Sequence, residues 1–109
     1  MRTRYEILSD IVHLKGDLSD LQNEISLYPW DIEAPIISIS KDDLITILSK
    51  SINGEIEIDE IVNWSNAIES REDVSFESNE IQEVIFELAN PEINGKITKD
   101  RLLQIINEV

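Results

Sequence analysis

The first quarter of the chain carries a heptad seam. Ile7, Ile11, Leu14, Leu18, Leu21, Ile25 and Tyr28 recur at spacings of 4, 3, 4, 3, 4 and 3. That repeat is one apolar face of a helix, and it predicts a helix of about six turns from about Tyr5 to Tyr28. Leu8 and Val12 widen the stripe in its first half. Gly16 costs about 1 kcal/mol relative to alanine there and marks where the helix bends or breaks. The seam either packs on the domain's own core or pairs with a second copy, as a homodimer through the N-terminal helix.

Residues 29–40 read as a connector, because Pro29 and Pro35 forbid a continuous helix. Pro35-Ile36-Ile37-Ser38-Ile39 is extended in character and suits a short edge strand. Trp30, between the two prolines, is a candidate interface anchor.

The remainder contains an internal repeat. Ile52-Asn53-Gly54-Glu55-Ile56 returns as Ile93-Asn94-Gly95-Lys96-Ile97, a shift of 41 residues. At that shift Leu44, Ile45 and Ile47 meet Ile85, Phe86 and Leu88, and Ile61 and Val62 meet Leu102 and Leu103. Each unit reads as helix, Asn-Gly turn, extended residues, helix. Ser40 with Asp43, Ser78 ahead of Glu80, and Thr98 ahead of Asp100 mark helix starts. Asn90-Pro91 stops one helix. The pattern predicts helices near 41–50, 58–70, 79–90 and 99–108, with Ile56 and Ile97 paired between the turns. The fold class is all-α. A long N-terminal helix (1–28) packs on a first helical unit (41–70) and a second (79–109), five helices in one domain with at most a tiny two-stranded patch.

Such a pair resembles degenerate EF-hands. A calcium loop needs oxygen ligands at its first, third and fifth positions and a closing glutamate. Gly54 at the central position gives Ser49, Ser51, Asn53 and Glu60. Gly95 gives Asn90, Glu92, Asn94 and Arg101. One loop has too little charge, and the other puts a cation where the closing carboxylate belongs. No metal or other cofactor is expected, and the Asn-Gly pairs are read as tight turns.

Charge then changes the picture. Twenty-three carboxylates against nine Lys and Arg give −14. Such a chain repels nucleic acid and anionic membrane and attracts basic proteins. The 41% hydrophobic fraction is that of a folded domain. With no cysteine, thiolate chemistry and disulfides are excluded. The N-terminus is charged and lacks a leader pattern, and no apolar run suits a membrane span, so a cytoplasmic location is expected. His13 is the only histidine, and it lies beside the seam. No phosphate loop or histidine cluster accompanies it, so binding is expected rather than catalysis.

The acidity is concentrated. Between Glu55 and Glu92 stand twelve carboxylates and one cation, Arg71. Glu69, Glu72, Asp73, Glu77, Glu80, Glu83 and Glu87 run from one helix end through a loop and along the next helix, as a candidate partner-binding surface. Glu80, Glu83 and Glu87 share a helical face, where like charges cost a few tenths of a kcal/mol each, a term that a basic partner reverses. Trp64 shares helical spacing with Ile61 and Ile68 and belongs in the core.

Leu44-Ile45-Thr46-Ile47-Leu48-Ser49-Lys50, the Asn-Gly turn, and Glu55-Ile56-Glu57-Ile58-Asp59-Glu60-Ile61 resemble the helix–turn–helix of colicin D type immunity proteins. Small size, absence of cysteine and an acidic helical build are also similar to immunity proteins of bacteriocins and of contact-dependent growth inhibition. The resemblance covers residues 40–75. It implies a stoichiometric toxin inhibitor whose carboxylates stand in for nucleic-acid phosphates in a basic nuclease domain, such as a tRNase. The alternative is a calcium-independent EF-hand-like adaptor that grips a partner helix between its two units.

Overall fold

The computed structural model describes residues 3–28, 35–69 and 71–109. The connector's Pro29 and Trp30, with its interface-anchor reading, lie outside them. Among the described residues the order is α1 (Arg4–His13), α2 (Leu18–Ile25), β1 (Ile37–Ile39), α3 (Lys41–Ile52), α4 (Ile58–Glu69), β2 (Val74–Phe76), α5 (Asn79–Ala89), α6 (Pro91–Asn94) and α7 (Lys99–Glu108). The domain is mostly helical, with a two-stranded parallel sheet.

The long N-terminal helix is corrected to two. Lys15 N–H donates to Asp10 O (2.9 Å) and Leu14 N–H to Ile11 O (3.2 Å). That pair of bonds is a Schellman closure of α1. It puts Leu14 at φ 50°, a left-handed conformation that costs a non-glycine residue about 1–2 kcal/mol. Gly16 follows at φ 114°, and Asp17 caps α2 through the Asp20 N–H. At its start, α1 is held by a capping box between Thr3 and Glu6. The seam's buried members, Ile7, Ile11, Leu21 and Ile25, lie in the chain's own core, the first of the two packings expected of the seam.

The repeat's helices form close to their predicted bounds. Ser40 caps α3 in a box with Asp43, Ser78 caps α5, and Thr98 caps α7. Gly54 N–H donates to Ser51 O (3.1 Å) and Glu55 N–H to Lys50 O (2.8 Å), with Gly54 at φ 80°. The first Asn-Gly pair is thus a helix stop of the Schellman type, folded back onto α3. The second lies at the end of α6, where Gly95 takes φ 98° and ψ 161°.

The expected pairing of Ile56 with Ile97 is not formed; neither residue lies in a strand. The sheet instead joins the segments ahead of each unit's first helix, with Ile37 opposite Val74 and Ile39 opposite Phe76. The extended reading of 35–39 holds for β1, whereas β2 falls in what read as loop. Paired strand residues are 37 apart and the Asn-Gly turns 41 apart. The second unit is therefore longer by four residues, about one helical turn. Pro91 breaks that turn off as α6.

Each unit's first helix packs on the other unit's second, α3 on α7 and α5 along α4, while α1 lies against α3, α4 and β1. One core results, centred on Trp64, Leu44, Leu48, Ile61, Ile85 and Leu102. Trp64 is fully buried. Its indole N–H donates to Ile11 O (3.0 Å) and Val12 O (3.1 Å) at the end of α1.

Two substitutions test this account. Trp64→Phe leaves the α1 carbonyls without the indole donor and opens a void. It is expected to lower stability by about 2–4 kcal/mol in urea unfolding. Gly95→Ala meets no atom within 4 Å of its new Cβ, so its cost is backbone strain alone, about 1–3 kcal/mol. An unchanged urea midpoint for either variant refutes the role assigned to that residue.

Candidate functional site

The candidate acidic surface is built on the end of α4, the loop to β2, and α5. Ile81, Ile85, Leu88 and Ala89 turn inward and fix the rotation of α5. Asn79, Glu80, Gln82, Glu83 and Phe86 consequently face solvent. Glu80 lies in the first turn, where the helix dipole favours a negative charge.

The seven predicted carboxylates have different surroundings. Glu72, Glu80 and Glu83 are exposed and make no hydrogen bond or ion pair with the described residues. Glu77 is exposed and accepts the Lys41 N–H (3.2 Å), so it also supports the start of α3. Glu69 is half-buried and accepts from Asn90 Nδ2 (3.3 Å), a bond joining the C-terminal ends of α4 and α5. Glu87 is half-buried and held by Arg101 through both oxygens, at 2.7 and 2.6 Å.

Asp73 does not belong to the surface. It is 4% exposed. Arg71 grips both its oxygens at 2.8 and 2.9 Å, and Arg4 Nε lies 3.8 Å away. Arg4 in turn stacks on Tyr28, 5.6 Å from the ring centre. The Asp73 carbonyl accepts from the Ile36 and Ile37 N–H groups, so this residue locks the start of the sheet. A buried carboxylate with a bidentate guanidinium is a structural lock, not a free contact. Arg71, the one cation of the acidic stretch, is consumed by that lock.

Besides the Asp73 lock, two further side-chain contacts went unseen in the sequence. The Arg101 bridge holds the Glu87 carboxyl below the usual range despite partial burial, and Glu87 raises the Arg101 guanidinium in return. The signal was available, since Arg101 stands where the calcium template demands a glutamate. The second is a hydrogen-bond contact of His13 Nε2 with Asp43 Oδ1, 3.0 Å apart across 30 residues. Burial pushes Asp43 up, but the Ser40 N–H and hydroxyl and then His13 hold it below the usual range. The other ring nitrogen, Nδ1, sits 2.7 Å from the Ser9 carbonyl and 3.4 Å from the Ser9 hydroxyl. With Nδ1 committed to that carbonyl, it is not placed to take a proton from Ser9. The Ser9–His13–Asp43 set instead ties α1 to the cap of α3.

The calcium template is not assembled. Ser49 and Ser51 are inside α3, Ser51 is buried, and Arg101 faces Glu87. Among the described residues no group of three or more His, Asp or Glu is placed to hold a metal ion. None of the helices there is long and apolar enough to cross a membrane.

Acid unfolding checks the Arg101 bridge. The folded state holds Glu87 below its ordinary value of 4.5, so it binds fewer protons than the unfolded chain. The bridge's contribution is therefore complete above the unfolded pKa and lost as pH falls through the folded one. Glu87→Gln should cost about 1 kcal/mol at pH 7. The deficit should shrink toward zero as the pH drops below about 4. A deficit independent of pH rules the bridge out as its source.

In comparisons with known proteins, no family model, no curated protein and no solved structure matches this chain.

Proposed function

We propose that the protein is a stoichiometric inhibitor of a basic partner, an immunity protein that neutralises a nuclease toxin domain. One observation carries the reading. Glu72, Glu80 and Glu83 stand exposed and without an ion-pair partner among the described residues of a well-packed scaffold, while every described arginine is turned onto a carboxylate of its own chain. Unpaired carboxylates of one sign give a field that steers a basic protein into encounter and raises its association rate. In a nuclease groove the same groups occupy positions that phosphates would take. The resemblance to colicin D type and contact-dependent immunity proteins supports the same partner class. The adaptor reading lacks such support, because the apolar faces of α3, α4, α5 and α7 are closed on one another.

The test begins with the adjacent reading frame, where a large secreted protein with a basic C-terminal nuclease domain is expected. Co-expression should protect cells from that domain. Glu72→Lys, Glu80→Lys and Glu83→Lys together should leave the thermal midpoint within a few degrees, because these side chains make no hydrogen bond or ion pair with the described residues. The same triple variant should abolish protection and slow association at least tenfold at low salt, with the difference narrowing as salt screens the charges. Undiminished protection by the folded triple variant would reject the acidic face as the contact surface.

A further inference from the structure

The solvent side of α5 holds more than charge. Asn79, Gln82, Glu83 and Phe86 form one stripe at helical spacing, all exposed, and Phe86 is 48% exposed. An aromatic ring left in water forgoes about 25 cal/mol for each Å² of apolar area a partner could cover. The ring lines an open cleft of about 380 Å³ with Asn79, Gln82 and Glu83. Glu83 is also the wall of a second cleft, of about 310 Å³, between α5 and α7, lined by Glu80, Val84, Glu87, Arg101 and Glu108. At the other end of the stripe Asn90 Nδ2 bonds both the Phe86 carbonyl (2.8 Å) and Glu69 Oε1 (3.3 Å). The ring thus shares its cleft with the Glu83 carboxylate, and Glu69 is tied to the backbone at the stripe's far end through Asn90.

Charge decides what can cover this face. A second copy would bring its own carboxylates against these, and like charges across an interface cost several kcal/mol. A neutral apolar partner would desolvate Glu83 without a counter-charge, which is also unfavourable. A segment carrying Lys or Arg beside an apolar side chain meets both demands, with the apolar group on the ring and the cation at Glu83. The geometry points to the outer stripe of α5 as a docking face for a basic protein segment, with Phe86 as its apolar anchor. This rests on the basic-partner reading above and adds to it the residue that supplies affinity, since a few aromatic anchors dominate most interfaces.

The test uses the full chain and two short labelled peptides rich in Lys and Arg, one with a central leucine and one with serine there, followed by fluorescence anisotropy at two salt concentrations. The leucine peptide should bind about tenfold tighter, a difference of about 1.4 kcal/mol. Phe86→Ser should erase that preference and leave the serine peptide's affinity and the thermal midpoint unchanged. Equal binding of the two peptides, or a preference that survives Phe86→Ser, overturns the anchor; salt-dependent binding of both would then keep the charge reading alone. Failure of both peptides to bind more tightly than an uncharged control overturns the anchor and the basic-partner reading together. A dimer in sedimentation that Phe86→Ser dissociates makes the occupant a second copy and likewise overturns the inference.

Discussion

The indole bond from Trp64 to the end of α1 is the contact on which the arrangement of the domain depends. A helix leaves its last carbonyls without intrahelical donors, and in a buried setting they need a partner. Val12 O receives its donor, and Ile11 O a second one beside the Leu14 N–H, from a side chain more than fifty residues away. The bond fixes where α1 meets α4, and α4 is packed along α5. The N-terminal segment is thereby registered against the repeat, together with the His13–Asp43 contact to the cap of α3. Because α1 must end there, the chain turns at once, and Leu14 accepts a left-handed backbone to do so.

That turn explains why the heptad seam misled. A seam reports which residues face a core, and Ile7, Ile11, Leu21 and Ile25 do so. It does not report whether the face is one helix or two, since two helices bent around a common core can show the same periodicity. Gly16 gave the location of the break, and Asp17 with Asp20 supplied the new start. The repeat was more legible, because serine and threonine caps set three helix starts through local hydrogen bonds. The sheet was the least legible element. Ile37-Ser38-Ile39 and Val74-Ser75-Phe76 share an apolar–serine–apolar pattern, each shortly before a capping serine, and that was the available signal. Three residues in a charged loop carry too little pattern alone, and the pairing depends on Asp73, whose carbonyl receives the Ile36 and Ile37 N–H groups at the start of β1.

Asp73 also shows where charge counting stops being informative. The stretch from Glu69 to Glu87 reads as seven equivalent carboxylates. Folding separates them by the cost of desolvation. A carboxylate taken out of water needs a fixed donor: the buried Asp73 and half-buried Glu87 each hold a bidentate arginine, and the half-buried Glu69 takes the Asn90 amide. The exposed ones are solvated and need none. Which is which depends on three-dimensional proximity, and Glu87 and Arg101 are 14 residues apart.

The consequence is an uneven surface charge. The described arginines, Arg4, Arg71 and Arg101, all turn toward carboxylates of their own chain, so they neutralise charge inside and at the seams between elements rather than across the surface. Their pairing stabilises the domain while leaving the outer face of α5 to Glu80 and Glu83. Random scattering of nine cations among twenty-three anions would have damped the field on every face. The fold instead uses its strongest cations where desolvation demands them, and an acidic face beside an exposed aromatic ring is what that allocation leaves.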